Sequence, residues 1–283
     1  MDIITRNMFR LLRAGVLGRD ERVEPMSAWK WSKAYSLTMV HGVEAEAWAG
    51  VRRLSGQFFM QLPSALCRQW EQSAATATPA PRTPLPRRLA ERLDRIEDHA
   101  LNSREFAVSS RGFAVPVPRT TMSVLRSMVV LSQSLLTADR WVRQLLSIAT
   151  LLSPAAVPPR IDRELLQEWV EELGMERMAQ LECALLETLM HIDPERLPLL
   201  CPPSEGPGDA ERIREVEETV ATIEATTHQW HYSQGSNIFV HNSDSAAMYW
   251  QARHSVRYLK YHPKQSISSF LSSFVKSLTN IEE

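Results

Sequence analysis

Glycine is scarce in this chain. It supplies only 10 of the 283 residues, about half of its usual share of about 7%. Phosphate-binding loops and hairpin-rich sheets both depend on glycine, because it adopts positive φ angles without steric cost. The shortage therefore favours helices. It also argues against an enzyme built on a nucleotide-binding loop, and neither G-x-x-x-x-G-K-[ST] nor G-x-G-x-x-G occurs.

Paired cysteines and long apolar runs are also missing. Cys67, Cys183 and Cys201 are odd in number, lie far apart and include no C-x-x-C pair. They predict reduced thiols in a cytoplasmic protein, and neither a disulfide framework nor a thiolate zinc site. No apolar run approaches the roughly 20 residues of a membrane-spanning helix. Residues 1–18 form a charged amphipathic stretch that does not resemble a signal peptide, so we expect no membrane association.

Net charge is nearly absent, at −1, but it is unevenly distributed. Residues 1–160 carry 22 Lys and Arg against 13 Asp and Glu, residues 161–224 carry 5 against 17, and residues 225–283 carry 5 against 3. One interpretation is a nucleic-acid face on the basic parts. The basic residues are dispersed and lack neighbouring aromatics for stacking, however. We therefore expect the segments to pair with each other in the fold, and we do not expect a nucleic-acid partner.

What is present is the composition of a folded protein, with 44% hydrophobic and 23% charged residues. Apolar residues at helical spacing predict four short helices in the first third of the chain. Gly18 is expected to end the first helix and Ser27 to cap the second. The third continues from Val43, and the fourth starts after Pro63. The fold class predicted is mainly α, a multi-helix, bundle-like assembly.

The middle of the chain interrupts this pattern. Four prolines between Ser73 and Pro86 predict an extended linker. A charged helix follows, and its apolar positions fall on one face: Leu89, Leu93, Ile96 and Ala100. The segment GFAVPVP, residues 112–118, is the one convincing strand, and its two prolines confine it to a sheet edge or to isolation. Any β structure is therefore small.

Helical spacing returns after residue 118. Thr120 or Thr121 can cap one apolar helix, Asp139 can open a second, and Asp162 can open a third that ends at Gly174. A fourth apolar helix spans residues 175–191. The next helix is acidic and begins at Asp209, and its apolar face comprises Ile213, Val216, Val220 and Ile223. Residues 227–243 are expected to be irregular.

These breaks divide the chain into three parts. Residues 1–72 form an N-terminal helical region. Residues 73–118 contain the proline-rich linker, one helix and one short strand. Residues 119–283 form a C-terminal helical region.

Few residues suggest metal binding or covalent catalysis. His228, His231 and His241 fall in one polar segment, but H-x-x-H alone does not make a zinc site, so surface histidines are the expected interpretation. No G-x-S-x-G elbow occurs, and Cys183, within LECALLETL, is typical of a buried small hydrophobic residue. We assign no catalytic residue and no metal ligand, and any cofactor-binding residues are unknown.

Asp94, Glu97 and Asp98 form a carboxylate cluster at helical spacing. They could gather on one face around a cation. Because Arg92 and Arg95 lie between them, a solvated, salt-bridged helix face is the expected outcome.

A polymerase-beta-like nucleotidyltransferase needs a Gly-Ser turn followed by two carboxylates one residue apart. The paired acids hold the divalent ions that neutralise the triphosphate. The nearest text here is Gly235-Ser236 followed by Asp244, which supplies a single acid. We interpret this partial match as coincidence.

Several apolar helix patterns nevertheless resemble a known family. NMFRLLRAGVLG, SAWKWSKAYSLTMVHGVEAEAW and LPSALCRQW look like the beginning of bacterial uncharacterised nucleotidyltransferase-family proteins, which start with an F-x-L-L-R-A-G-x-x-G helix. Three later segments resemble the helical C-terminal region of that family: residues 120–152, 161–190 and 252–267. The resemblance covers residues 1–72 and 119–283.

The resemblance leaves out the part of the family that performs catalysis. In the family, an α/β core with a G-D-x-D-type acidic motif lies between these two helical regions. Residues 73–118 are too short to hold that core, so no catalytic residue is carried over. The resemblance therefore implies a shortened relative, a pseudoenzyme that has lost its transferase core.

Two functions remain open. The first is a non-catalytic helical binding or regulatory protein without a cofactor, which holds a protein partner or associates with itself. The second is an active nucleotidyltransferase that uses magnesium and an NTP and recruits dispersed acids such as Asp94, Glu97, Asp98 or Asp244. The sequence favours the first.

Overall fold

A computed structural model of the chain describes residues 1–77, 84–102, 119–137, 140–153, 161–199 and 209–234, together with Tyr258. All regular secondary structure within these ranges is helical, which confirms the mainly α prediction. The α-helices are α1 (Ile3–Leu17), α2 (Ala28–His41), α3 (Glu44–Leu54), α4 (Ser64–Thr76), α5 (Arg87–Asn102), α6 (Arg119–Thr137), α7 (Trp141–Leu152), α8 (Arg163–Leu173), α9 (Glu176–Met190) and α10 (Asp209–Gln234). The strand predicted at residues 112–118 lies outside the described residues.

Side-chain caps and glycines set several of these helix boundaries. The side chains of Ser27 and Asp162 each accept a hydrogen bond from the backbone N–H three residues further on, at the starts of α2 and α8. Gly18 and Gly174 end α1 and α8 with φ angles of 66° and 67°. These four positions confirm the expected boundaries, because a left-handed residue is the usual end of a helix.

The predicted cap of α6 is wrong. The helix begins at Arg119, before both candidate threonines. Thr121 is buried inside it, and its hydroxyl accepts a hydrogen bond from the backbone N–H of Asp162 at 3.0 Å. This hydroxyl thus ties the start of α8 to α6. Asp139 lies outside the described residues, and Arg140, with a φ angle of 44°, precedes α7 without a side-chain cap.

Three further expectations differ from the structure. Helix α4 runs to Thr76, so the predicted linker from Ser73 begins too early. Helix α10 extends to Gln234, so residues 227–234 are helical and not irregular. On the same helix, Ile213 is 52% exposed although the other three residues of its predicted apolar face are buried. Neither extension contains proline or glycine, so nothing in its composition ends the helix.

Helix α9 is the centre of the C-terminal bundle. It packs against α1, α6, α7, α8 and α10. Ten of its 15 residues are buried, as expected for a helix enclosed on several sides. Cys183 is fully buried here, which confirms its interpretation as a core residue. The predicted apolar face of α5 is also buried throughout: Leu89, Leu93, Ile96 and Ala100.

Helices α1 and α3 cross with their backbones in contact. A Cβ atom at Gly15 would overlap with the carbonyl oxygen of Glu46, and a Cβ atom at Gly50 would overlap with the carbonyl oxygen of Leu11. Neither glycine has a positive φ angle, so each is required by space and not by backbone conformation. Glycine inside a helix costs about 1 kcal/mol relative to alanine. The close packing of the two helices offsets that cost.

The crossing predicts that Gly50→Ala lowers the free energy of unfolding by about 3 kcal/mol, since the added methyl group must push two backbones apart. Urea denaturation followed by circular dichroism measures the change. Gly56→Ala is the matched control, because nothing lies within 4 Å of a Cβ atom there, and it should change the free energy by less than about 0.5 kcal/mol. Equal stabilities of the two variants would contradict this account of the crossing.

Candidate functional site

Two adjacent aromatic side chains project from the loop between α3 and α4. Phe58 is 79% exposed and Phe59 is 50% exposed. Their rings meet edge to face, with centroids 5.2 Å apart, which is a favourable arrangement for aromatic pairs. Scattered exposed apolar residues are ordinary, but a contiguous aromatic patch is typical of an interaction site.

The loop that carries this pair is anchored on both sides. The side-chain amide of Gln57 accepts a hydrogen bond from the backbone N–H of Val23 at 3.2 Å and donates one to the backbone carbonyl of Glu21. After the aromatic pair, Met60 and Leu62 pack against the hydrophobic core. The aromatic rings are therefore presented on a fixed backbone, and little conformational entropy would be lost when a partner covers them.

A groove of about 300 Å³ lies beside the loop. Its walls come from the segment after α1 and from the end of α3: Asp20, Glu21, Arg22, Arg53, Leu54, Gly56 and Gln57. Arg53 forms a loose ion pair with Asp20 at 3.5 Å. Arg22 is exposed and makes no hydrogen bond or ion pair within the described part of the chain. We call these seven residues the arginine groove.

Glu21 is held at the base of this region by Arg13. The Arg13 guanidinium binds both carboxylate oxygens of Glu21, at 2.6 and 2.9 Å, and also donates to the carbonyl of Leu189 at 2.6 Å. Burial alone would raise the pKa of Glu21. The hydrogen bonds and charge of Arg13 outweigh that effect, so the pKa lies below its ordinary value. The negative charge of Glu21 is thus already compensated inside the fold.

The predicted carboxylate cluster on α5 is neutralised by an arginine from another helix. Arg126 on α6 forms ion pairs with Asp94, at 3.3 Å, and with Glu97. Asp98 is exposed. The salt-bridged helix face is confirmed. The pairing arginine is not one of those interleaved in α5, because Arg92 donates instead to the carbonyls at the end of α8.

The other predicted candidates are not brought together. His228 and His231 lie on α10, whereas His241, Gly235, Ser236, Asp244 and Cys201 lie outside the described residues. No group of three or more His, Cys, Asp or Glu side chains within the described ranges could hold a metal ion. No disulfide joins Cys67, half-buried on α4, to the buried Cys183.

Arginine side chains of the basic block contact the acidic block in the described part of the chain. Arg13 and Arg92, from the basic block, bond to backbone carbonyls at the ends of α9 and α8. Arg212, within the acidic block, pairs with Glu187 of the same block. Cations are favourable at helix C-termini because the last carbonyls lack intrahelical partners.

A buried carboxyl group lies between α6 and α9. Glu182 is fully buried, and one of its oxygens accepts a hydrogen bond from the Ser132 hydroxyl at 2.6 Å. The other oxygen has no hydrogen-bond partner in the described part of the chain. Burial raises the pKa of Glu182 well above its ordinary value, although the bond from Ser132 acts in the opposite direction. The uncharged acid is therefore favoured, as its surroundings require.

A buried histidine lies at the end of α2. His41 is 2% exposed, and neither ring nitrogen has a hydrogen-bond partner among the described residues. Its ring meets the edge of Trp141, with centroids 6.3 Å apart. Burial, and secondarily the charge of Arg140, lowers the pKa of His41 to about 4. Glu182 and His41 are thus enclosed core groups, and neither is accessible to a substrate.

No known protein family matches the chain, and comparison with curated proteins and with solved structures gives no significant match. Within the described ranges, no helix is both long enough and apolar enough to cross a membrane.

The aromatic pair was not identified as a site from the sequence. In the segment SGQFFMQLP the apolar residues follow neither a helical nor a strand period. Nothing in this pattern distinguishes Phe58 from a core residue such as Leu54. The one available signal was the occurrence of two aromatic residues between two helix boundaries, a position where chains usually run over the surface.

His41 predicts a pH dependence of stability. Its pKa is lower in the folded chain than in the unfolded chain, so the unfolded state binds the extra proton as the pH falls from about 6.5 to about 4. The free energy of unfolding is therefore highest, as far as His41 is concerned, above about pH 6.5, and it decreases as the pH falls from there to about 4. His41→Leu removes the proton site, and we expect wild type to lose about 3 kcal/mol more than this variant over the window.

Denaturation curves of both proteins at a series of pH values measure that difference, since all other titrating groups are common to the two. Parallel pH profiles would show that the His41 ring is solvated in the folded protein.

Proposed function

We propose that this chain is a non-catalytic helical binding protein that holds a protein partner on the Phe58–Phe59 loop. The observation that supports the proposal most directly is the anchoring of this loop: Gln57, Met60 and Leu62 are fixed to the fold, while the two aromatic rings between them remain exposed. Aromatic side chains in such positions dominate the energetics of protein interfaces.

Simple energetics supports a protein partner. Full burial of a phenylalanine side chain contributes on the order of 2 kcal/mol, and the edge-to-face pair is already formed before binding. Because the backbone is anchored, little of this energy is spent on ordering the loop when a partner binds. Two such anchors, with a polar rim from the neighbouring arginine groove, match the usual organisation of a protein interface.

The features that would support an enzyme are weaker. Asp94 and Glu97 are engaged by Arg126, so holding a divalent cation there would require those ion pairs to break. Glu182 and His41, whose pKa values are strongly shifted, are enclosed in the core. We retain, as part of the proposal, the descent of the chain from nucleotidyltransferases that have lost their catalytic core.

The proposal predicts that Phe58→Ser/Phe59→Ser abolishes capture of a protein partner and weakens its affinity by at least about thirtyfold. Trp29→Ser is the matched control, because Trp29 is an aromatic residue of α2 that is 64% exposed, with the Lys33 ammonium 5.3 Å from its ring centroid. Affinity capture from cells that produce the protein, followed by titration of the purified pair, measures the effect.

A supporting partner binds wild type and Trp29→Ser with equal affinity and in a defined stoichiometry. If the double serine variant binds it equally well, the aromatic loop is not the docking surface.

The competing function, a magnesium-dependent nucleotidyltransferase, makes a separate prediction. With magnesium and each of the four NTPs in turn, we expect no change in the thermal unfolding temperature of the full chain and no release of pyrophosphate. A magnesium-dependent thermal shift with any NTP, lost in Asp94→Asn/Glu97→Gln, would replace the binding proposal with the catalytic one.

A further inference from the structure

We propose that the arginine groove recognises an acidic peptide segment of the partner, whose carboxylates bind Arg22 and Arg53 while its neighbouring apolar side chains cover Phe58 and Phe59. This inference rests on the proposed function and adds the chemical class of the partner.

The charges of the groove favour an anion. The groove has two acidic residues, and the negative charge of one of them, Glu21, is neutralised by the buried guanidinium of Arg13. The side chain of Asp20 is fully exposed, and it meets Arg53 only at 3.5 Å. Two guanidinium groups therefore face one loosely held carboxylate, and Arg22 has none of its own within the described part of the chain.

The geometry favours a carboxylate side chain over a small-molecule ligand. A groove of about 300 Å³ lies at the lower limit for small-molecule sites, which are mostly apolar. Here Leu54 is the one large apolar residue in the lining, and the others are charged, polar or glycine. Arginine binds carboxylates through two parallel N–H donors, so Arg22 and Arg53 suit an acidic side chain.

An exposed ion pair such as Arg53–Asp20 contributes little to stability. A partner carboxylate can therefore take the place of Asp20 without loss to the fold. Gly56 and Gln57 line the groove and directly precede Phe58 in the chain, so the groove and the aromatic pair share one loop.

A lipid surface fits these observations less well. Recognition of anionic lipids typically uses a cluster of about four to eight basic side chains, whereas the lining of the groove contains Arg22 and Arg53. In this structure the arginines line a concave groove, and the fully exposed Asp20 stands at its side, where it would repel anionic headgroups.

Selection from a library of short random peptides displayed on phage tests the inference. The full-length wild-type chain is the target, and Phe58→Ser/Phe59→Ser is used for counter-selection. We expect enrichment of peptides in which Asp or Glu lies beside Leu, Phe or Trp. A selected peptide should bind Arg22→Glu about tenfold more weakly, and its Glu→Lys version should regain affinity for that variant.

Arg88→Glu is the control for net charge. Arg88 is exposed on α5, which packs on α8 and contributes no residue to the lining of the groove. Binding of the acidic peptide to Arg88→Glu should equal binding to wild type. Raising the salt from about 0.1 M to about 1 M, where the Debye length falls to about 3 Å, should weaken binding to wild type more than to Arg22→Glu.

The outcomes separate the inference from the proposed function. Enriched peptides without acidic residues, or binding that depends on Phe58 and Phe59 but not on Arg22, would overturn the inference and leave the docking surface intact. Failure to enrich any peptide would also overturn the inference, and capture of a partner would then decide the proposed function alone.

Two other occupants are tested in parallel. Co-sedimentation with phosphatidylcholine and phosphatidylserine vesicles, if lost in Phe58→Ser/Phe59→Ser, would assign the surface to a membrane. Sedimentation equilibrium that shows a dimer of wild type, but a monomer of the same variant, would assign it to a second copy. Either result would overturn the inference.

Discussion

The buried guanidinium of Arg13 is the interaction on which the arrangement of this protein depends. A buried charge is destabilising unless it has an oppositely charged partner in good geometry and further hydrogen bonds. Arg13 has both, in a two-oxygen bond to Glu21 and a third bond to the carbonyl of Leu189. It thereby fixes α1, the segment after it and the end of α9 in one place. Two other arginines make similar bonds. Arg92 on α5 donates to a carbonyl at the end of α8, and Arg143 on α7 donates to the carbonyl that follows α2. Arginine contacts to helix ends therefore recur between the helices of the bundle.

The Arg13–Glu21 ion pair also influences the surface loop that carries Phe58 and Phe59. The side chain of Glu21 is held by Arg13, and its backbone carbonyl accepts the bond from the Gln57 amide. The position of the aromatic loop is thus set by a chain of contacts that starts in the interior. An exposed pair of phenylalanines on a loop without such contacts would collapse onto the nearest apolar surface. In this protein the loop is held, and the rings remain available to a partner.

Local patterns in the sequence predict most of the helices, and the reason lies in the physics of each position. The helix boundaries at Ser27, Asp162 and Gly174 depend on hydrogen bonds to residues only a few positions away, and the apolar face of α5 follows from its own periodicity.

The positions that could not be predicted depend on distant parts of the chain. Thr121 bonds to Asp162, Gly15 is required by the carbonyl of Glu46, and the exposure of Phe58 results from how its loop is anchored. The resemblance to nucleotidyltransferases stays a hypothesis, because apolar helix patterns recur in many unrelated bundles.

The bonds of Arg13 also differ in the time at which the growing chain can make them. Its partner Glu21 is 8 residues away, whereas Leu189 is 176 residues away. Contacts between near neighbours close quickly, and those across long loops close late. The ion pair with Glu21 can therefore form as soon as the first helices are synthesised, before α9 exists. The local ion pair with Glu21 then orients the Arg13 guanidinium before its bond to the carbonyl of Leu189 can form.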